Sequence, residues 1–103
     1  MYGYHTASSN QIIVNDVLAH VDQGGWGPYG WYVGIATDVR QRLFGDHRVE
    51  EQSFWIYRQA GSESEARATE KELLSARNFK GAPGGGYNPR YVYAYKITST
   101  TVE

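Results

Sequence analysis

A chain of 103 residues can bury one modest core, so we expect a single domain spanning residues 1–103. Its hydrophobic content of 41% argues against intrinsic disorder, and the absence of cysteine excludes a disulfide framework and thiolate chemistry. With a formal net charge of −1, the chain lacks the excess of Lys and Arg that is typical of a dedicated nucleic-acid binder. Any nucleic-acid site must therefore be a local basic patch. No apolar run approaches the roughly 18 residues that span a membrane, and no signal peptide is evident, which predicts a soluble cytoplasmic protein without a membrane partner.

The first predicted element is an amphipathic helix over residues 9–22, because apolar side chains recur there at intervals of three and four. Ser8 and Gln11 form a capping-box pattern at its start. Gly24-Gly25 suits its end and opens the turn-rich loop 24–30.

A strand that runs directly into a short helix is predicted next. Aromatic and β-branched residues predict the strand over Gly30–Ala36. Thr37 or Asp38 can cap the helix, which reaches about Phe44 and is ended by Gly45.

A further strand, helix and strand follow. Aromatic residues predict a strand over Ser53–Arg58, and a capping box at Ser62 opens a helix over residues 63–77. A loop rich in glycine and proline over residues 80–90 leads to the predicted strand Tyr91–Thr98. The order of these elements predicts an α+β fold, with a small three-stranded, mainly antiparallel sheet flanked by helices.

One carboxylate falls inside the apolar stripe of the predicted helix 63–77. Ala66, Leu73 and Leu74 form that stripe, and Glu70 lies within it. A carboxylate on an apolar side costs free energy unless it is paired or bound to a metal. Glu70 is therefore either an edge side chain that reaches solvent or a nearby arginine, or a functional acid.

Three further features have both a structural and a functional interpretation. Arg40 and Arg42 follow the strand glycine, either as an ordinary solvated face or as part of a site. The glycine-rich loop around residues 84–86 is either a connector or a backbone that approaches a ligand closely. The tyrosines of residues 91–95 are either sheet packing or a stacking platform.

Taken in order, these residues resemble the GIY-YIG nuclease family over residues 30–88. Tyr32-Val33-Gly34 is similar to the family's Tyr-Ile-Gly element, and Arg42 follows at the spacing of phage-type homing members. Glu70 occupies the position of the family's metal-binding glutamate. Gly86-Tyr87-Asn88 is similar to the Gly-Tyr-Asn that carries the family's asparagine.

The resemblance implies an endonuclease that uses Mg²⁺ or Mn²⁺ to cleave the phosphodiester bonds of DNA or RNA. Tyr32 and Arg42 would face the scissile phosphate and Glu70 would hold the metal, so these three side chains should converge on one concave face of the sheet. The residues implied in catalysis are Tyr32, Arg42, His47 and Tyr95. The residues implied in substrate binding are Gly34, Arg40 and Asn88.

Two features depart from the family pattern. The family keeps Arg-x-x-x-His, whereas here Asp46 fills the histidine position and His47 lies one residue further on. His47 is expected to reach the site only if Gly45 breaks the helix and shifts its register. The strand with the Gly-Ile-Tyr element, whose tyrosine is the usual candidate for the base, is absent upstream of Tyr32. His20 lies near its expected position but on the predicted first helix.

The missing strand has a candidate substitute at the other end of the chain. The segment Tyr91–Thr98 contains Tyr-Ala-Tyr-Lys-Ile-Thr, which resembles the Gly-Ile-Tyr-x-Ile-Thr form of that strand, as in a circular permutation. We therefore predict that it pairs antiparallel with Gly30–Ala36, which otherwise has an open edge. Tyr91, Tyr93 and Tyr95 share one face of this strand, so all three are candidates for the missing tyrosine. Tyr95 is the best of them by match and would place its hydroxyl near Tyr32 and Arg42.

Two other interpretations remain open. A domain of the same fold that has lost cleavage would serve as a nucleic-acid or protein interaction module, which the missing strand and the low positive charge favour. A small enzyme or binding protein on another α+β fold would leave Glu70 with a structural role. A nuclease of this length has no room for a separate target-recognition domain, so its specificity would be low or would come from a partner protein or a homodimer.

Overall fold

Helices and strands alternate along the computed structural model, which describes residues 10–81 and 86–103. The elements are helix α1 (Asn10–Gly24), strand β1 (Trp31–Ala36), a π-helix (Gln41–Asp46), strand β2 (Trp55–Gln59), helix α2 (Glu63–Ala76) and strand β3 (Tyr91–Lys96). The predicted α+β fold with a small antiparallel sheet flanked by helices is confirmed. No α-helix in the described part of the chain is both long enough and apolar enough to cross a membrane.

The sheet has the order β1-β3-β2, and both pairings are antiparallel. Tyr32 lies opposite Tyr95, and the amide of Ile97 extends the ladder by donating to the Gly30 carbonyl at 2.8 Å. The predicted pairing of Tyr91–Thr98 with Gly30–Ala36 is therefore confirmed. The strand that comes last along the chain is the central strand, because it separates β1 from β2.

The sheet has an aliphatic face and an aromatic face, because successive side chains of a strand point to opposite sides. On the helix face, the side chains pack against α1 and α2. The buried strand residues of this face are Trp31, Val33, Ile35, Ile56, Val92 and Ala94. On the opposite face, which we call the ring face, tyrosines of β1 and β3 pack beneath the π-helix. Its buried residues include Leu43, Val49, Tyr93, Tyr95 and Ile97.

Local hydrogen bonds account for the ends of both α-helices. The Ser62 hydroxyl accepts from the Glu65 amide at 3.2 Å, as expected for the cap of α2. Helix α1 ends where the Gly25 amide donates to the Val21 carbonyl, and Gly25 has a φ of 72° that favours glycine. The predicted cap at Ser8 lies outside the described residues, as does part of the glycine-rich loop, residues 82–85.

The segment after β1 differs from the predicted short α-helix. Its start is as expected, because the Asp38 carboxylate accepts from the Gln41 amide at 3.1 Å. The chain then winds as a π-helix, in which the His47 amide donates to the Arg42 carbonyl five residues earlier at 2.9 Å. Gly45 lies inside this π-helix, so the prediction that it ends the helix is wrong.

Candidate active site

Four rings meet on the ring face, and we call them the ring cluster: Tyr32, His47, Tyr93 and Tyr95. The Tyr32 ring stacks on Tyr95 with centroids 5.3 Å apart, and the His47 ring lies 4.7 Å from Tyr32. Of the four residues, Tyr32 alone keeps appreciable exposure, whereas the other three are buried. The cluster is thus an aromatic core with one phenol at its surface.

Strand register explains how the three tyrosines come together. Tyr95 lies directly opposite Tyr32 in the β1–β3 pair, and Tyr93 lies opposite Gly34, two residues further along β1. Cross-strand partners share a face, so all three phenols lie on the ring face. A Cβ atom at Gly34 would lie 2.5 Å from the Tyr93 hydroxyl. Gly34 was predicted to contact substrate, but the structure shows that its missing side chain makes room for Tyr93.

The π-helix explains how His47 joins the cluster. Five residues separate Arg42 from His47, one more than in the family pattern, and a π-helical turn brings residues i and i+5 onto one side. His47 therefore reaches the site because the turn is wider, and not because Gly45 breaks the helix. Asp46, at the position of the family's histidine, forms an ion pair with Arg42 at 3.1 Å.

Hydrogen bonds fix the tautomer of His47. Its Nδ1 lies 2.6 Å from the Val102 carbonyl oxygen, which can only accept, so Nδ1 carries the proton. In a neutral imidazole Nε2 is then an acceptor, and it receives the Tyr93 hydroxyl at 2.7 Å. The Tyr95 hydroxyl lies 3.0 Å from Nδ1, on the edge of the ring that faces the Val102 carbonyl. The Val102 amide also donates to the His47 carbonyl at 2.7 Å, so one residue holds both the ring and the backbone of His47.

Burial keeps the ring cluster uncharged. Desolvation lowers the pKa of His47 below its ordinary value, an effect opposed by the Val102 carbonyl and reinforced by Arg42. Desolvation also raises the pKa of Tyr93, and the Tyr32 phenol adds to that rise. The pKa of Tyr95 is raised in the same way. At neutral pH, the site therefore holds a neutral imidazole that can accept a proton from a phenol beside it.

Arg42 brings positive charge to the edge of the ring cluster. Its side chain is 34% exposed, and both its charge and a side-chain hydrogen bond to the phenol act to lower the pKa of Tyr93. The Tyr93 oxygen is thus hydrogen-bonded to an imidazole and lies near a guanidinium. Tyr95, which the sequence match favoured, lies on the side of His47 that faces Val102, so Tyr93 is the tyrosine linked to Arg42.

Glu70 approaches from the other side of the sheet. Helix α2 packs on the helix face, whereas Tyr32 and the π-helix belong to the ring face, so Glu70 and Tyr32 reach the β1 edge from two sides. The convergence of Glu70, Tyr32 and Arg42 on one phosphate stays a prediction. One helical turn beyond Glu70, Leu74 lies against Gly81, whose backbone packs on the β1 edge. Glu70 therefore lies toward the β1 edge, close enough for its charge to contribute to the raised pKa of Tyr93.

The Glu70 carboxyl is buried and incompletely paired. Its residue is 6% exposed, and its Oε2 atom has no hydrogen-bond partner among the described residues. Desolvation raises the pKa of this carboxyl, which the Arg67 charge partly opposes. The carboxyl borders a cleft of about 400 Å³ that is also lined by Arg67, Lys71, Leu74 and Ser75. A buried carboxyl oxygen without a partner is suited to a bound cation or to protonation. The positive charge of Arg67 acts the other way and favours the ionised carboxylate.

A metal site at Glu70 would rest on a single protein carboxylate. Within residues 10–81 and 86–103, no three histidine, aspartate or glutamate side chains lie close enough together to hold a metal ion. Mg²⁺ commonly keeps several waters and takes only one or two carboxylates, so the unpartnered Glu70 oxygen fits one ligand of such an ion.

The remaining candidates lie outside the ring cluster. Arg40 is exposed, with its guanidinium 5.1 Å from the centroid of the Phe44 ring. Asn88 is exposed on a loop that is tied to the end of β1, where the Thr37 hydroxyl donates to the Tyr87 carbonyl at 2.6 Å. Asn88 has a φ of 53°, which asparagine tolerates better than most residues.

His20 lies on α1, as the sequence predicted, and makes edge contacts with the rings of Trp31 and Phe54. Desolvation lowers its pKa, with the nearby Arg58 charge acting in the same direction. His20 is therefore part of the packing between α1 and the sheet, away from the ring cluster.

The cluster can carry out proton transfer next to a bound anion, because it joins a neutral imidazole, a hydrogen-bonded phenol and a partly exposed arginine. Sequence analysis missed Val102, which acts through its backbone, and ranked Tyr93 below Tyr95. The alternation of tyrosines in β3 was the signal that pointed to Tyr93. Comparisons of the chain with models of protein families, with curated proteins and with solved structures found no match.

Proposed function

We propose that this chain is a metal-dependent endonuclease of the GIY-YIG type, which hydrolyses phosphodiester bonds of DNA or RNA. The observation that carries this proposal is the joining of Arg42, His47 and Tyr32 at one end of the sheet, despite the extra residue in the arginine–histidine spacing. If the resemblance in sequence were a coincidence, nothing would require the backbone to accommodate the extra residue between Arg42 and His47 in a π-helix.

The position of β3 supports the same proposal. The resemblance to the family lacks a tyrosine-bearing strand beside Tyr32, and β3 supplies a strand there with Tyr95 directly opposite. The arrangement corresponds to a circular permutation, in which the strand that opens the family pattern comes last along the chain.

The chain's own residues would bind and orient the phosphate. The guanidinium of Arg42 can hold two phosphate oxygens and offset the charge that develops on them. Tyr32, the partly exposed phenol of the ring cluster, can hydrogen-bond the same phosphate at the protein surface. A phosphate bound there lies at the β1 edge, between the ring cluster and Glu70.

The buried part of the cluster would move the proton of the attacking water. As the water gives its proton to the Tyr93 oxygen, the Tyr93 proton passes to Nε2 of His47, which is neutral and already hydrogen-bonded to it. The Val102 carbonyl holds Nδ1–H and so keeps Nε2 free to accept. Mg²⁺ held at Glu70 would supply Lewis acidity toward the phosphate.

A cleavage assay tests this proposal on supercoiled plasmid, branched DNA and single-stranded RNA, with Mg²⁺, with Mn²⁺ and with a chelator. We expect metal-dependent cleavage that Glu70→Gln lowers by at least about 10²-fold, because the ligand charge is lost while the volume is kept. Glu72→Gln is the matched control, since Glu72 is an exposed acid on the same helix. Absence of cleavage in every wild-type reaction, or equal loss in the two variants, would exclude a Glu70-dependent nuclease.

A second candidate is an interaction module of the same fold that binds nucleic acid without cutting it. The observation that favours this function is that Glu70 would be the sole protein carboxylate of the metal site within the described residues. Under this alternative, the wild-type protein binds oligonucleotides in the presence of chelator and leaves them intact when Mg²⁺ or Mn²⁺ is added.

A further inference from the structure

A groove opens beside the start of β1, apart from the ring cluster. It has a volume of about 700 Å³ and lies between the loop that precedes β1 and the end of α2. Its main lining residues are Trp26, Tyr29, Gly30, Arg77, Asn78 and Lys80. We call it the end groove. A volume of this size is within the range of sites for small ligands such as a nucleotide.

Two aromatic side chains line the end groove. Tyr29 is 49% exposed, so part of its side chain is open to solvent. Trp26 is partly exposed and packs against the buried Phe79 with centroids 5.3 Å apart, which fixes the orientation of the indole. Exposed aromatic rings held by the fold are the usual platform for stacking an unpaired base, because every base has a flat face.

Two cationic side chains also line the end groove. Lys80 is exposed, and within residues 10–81 and 86–103 its ammonium forms no ion pair. Arg77 makes a long contact of 3.4 Å with Asp22, whose side chain is 67% exposed, so little free energy is needed to release the guanidinium. Aromatic rings can stack on a base, and a lysine and an arginine can bind the phosphate joined to it, so these side chains fit a nucleotide.

The end groove is attached rigidly to the strand that carries Tyr32. The Lys80 amide donates to the Trp31 carbonyl, and the Val33 amide donates to the Lys80 carbonyl, both at 2.8 Å. These two bonds bracket Tyr32, and Gly30 of the groove lies two residues away, about 7 Å along a strand. A ligand in the end groove would therefore be adjacent to one at Tyr32.

We propose that the end groove binds an unpaired base, stacked on Tyr29 and Trp26, with its phosphate at Lys80 and Arg77. The placement of this base next to the scissile phosphate rests on the proposed nuclease function, whereas base binding itself does not. A base inside a duplex is stacked on both sides and cannot reach these rings. The substrate is therefore single-stranded or frayed nucleic acid.

The test measures binding separately from cleavage. Fluorescence anisotropy is followed with a labelled 12-residue oligothymidylate, the corresponding oligouridylate and a 12-base-pair DNA duplex, in the Glu70→Gln background. We expect the single strands to bind more tightly than the duplex. The tighter of the two shows which of these single strands the protein prefers.

Tyr29→Ala should weaken single-strand binding on the order of 10-fold, the scale of losing one stacked base, and leave duplex binding within about twofold. Tyr87→Ala is the matched control, because Tyr87 is 90% exposed and lies away from the groove. Lys80→Ala should weaken single-strand binding and reduce its dependence on salt. Equal single-strand affinity in the Tyr29→Ala and Tyr87→Ala variants, or a duplex bound as tightly as a single strand, would overturn the proposal.

Cleavage by the wild-type protein separates the two proposals. If the protein cleaves without a preference for single strands and Tyr29→Ala has no effect, the base-binding proposal is overturned and the nuclease proposal is retained. Single-strand binding that depends on Tyr29, without metal-dependent cleavage, supports the groove and overturns the nuclease.

Discussion

The two faces of the sheet are built by different means. The helix face is an aliphatic core, in which helical and strand periodicity bring valine, isoleucine and leucine side chains together. The ring face depends on three backbone features: the wide turn of the π-helix, the missing side chain at Gly34 and the two bonds of Val102 to His47. Side-chain pattern is therefore enough to predict the helix face, whereas backbone geometry determines the ring face.

The largest expected effect compares two leucines, both 0% exposed, one from each face. Leu73→Ala on α2 and Leu43→Ala in the π-helix should each lower the free energy of unfolding by about 2–5 kcal/mol, through lost burial and the cavity that remains. Only Leu43→Ala should also move the NMR resonances of the His47 ring, because Leu43 packs within the ring face. Chemical denaturation and histidine-selective NMR check both parts. Equal His47 shifts in the two variants would contradict the separation of the faces.

A substitution at Gly34 tests the close approach within the ring face. Gly34→Ala places a Cβ 2.5 Å from the Tyr93 hydroxyl, so we expect a loss of about 1–3 kcal/mol in the free energy of unfolding. Combining it with Tyr93→Phe removes the clashing oxygen, and the double variant should recover part of that loss. A double-mutant cycle measured by denaturation gives the coupling, and additive effects would show that the hydroxyl is not the obstacle.

Glu70 belongs to neither face, because it lies at the strand edge between them. Without metal, Glu70→Gln should raise the free energy of unfolding on the order of 1 kcal/mol at pH 7, since it removes a buried charge with an unpartnered oxygen. Glu72→Gln, on the exposed side of α2, should change it little. Thermal unfolding with a chelator measures both. A Glu70→Gln variant less stable than the wild type would mean that the carboxylate is satisfied by contacts within the fold.

The smallest expected effect is a pH dependence to which each face contributes one histidine. Burial lowers the pKa of both His47 and His20, so the unfolded chain takes up protons first as the pH falls. Stability from these groups should be fully present above about pH 6.5 and should be lost as the pH falls through the folded pKa values. Unfolding at pH 7 and pH 5 should show a smaller difference in His47→Gln and in His20→Gln than in the wild type. If the difference between pH 7 and pH 5 is unchanged in either variant, that histidine is not a source of the pH dependence.

Much of the fold could be predicted from the sequence because its signals are local. The apolar spacing of residues 13–21 predicts α1, and the capping pattern at Ser62 predicts the start of α2. The pairing of β3 with β1 required a different argument, since Tyr91–Lys96 and Trp31–Ala36 are far apart in sequence. A short match to a family strand and the need to satisfy an open edge were sufficient there.

The candidate site was less predictable, for identifiable reasons. Residue type does not distinguish an i→i+5 turn from an α-helix. Gly45 therefore indicated the end of a helix, although the π-helix includes it and runs to Asp46. Val102 contributes an amide and a carbonyl, which every residue except proline possesses, so its side chain carries no signal. The stripe containing Glu70 left open whether this side chain reaches solvent or is a functional acid, because the direction from which α2 approaches the sheet is a tertiary property.

The central place of β3 has a consequence for how the chain acquires its fold. The described sheet contains no pairing between β1 and β2. Until β3 has been synthesised, β2 therefore lacks a strand partner and β1 has only its bridge to Lys80. Every strand pairing is then distant in sequence, which gives the sheet a high contact order and favours slow folding. During synthesis, α1 and α2 can form, but the apolar side chains of β1 and β2 remain a target for chaperones. In this topology the ring face is assembled last, after synthesis of the strand that carries Tyr91, Tyr93 and Tyr95.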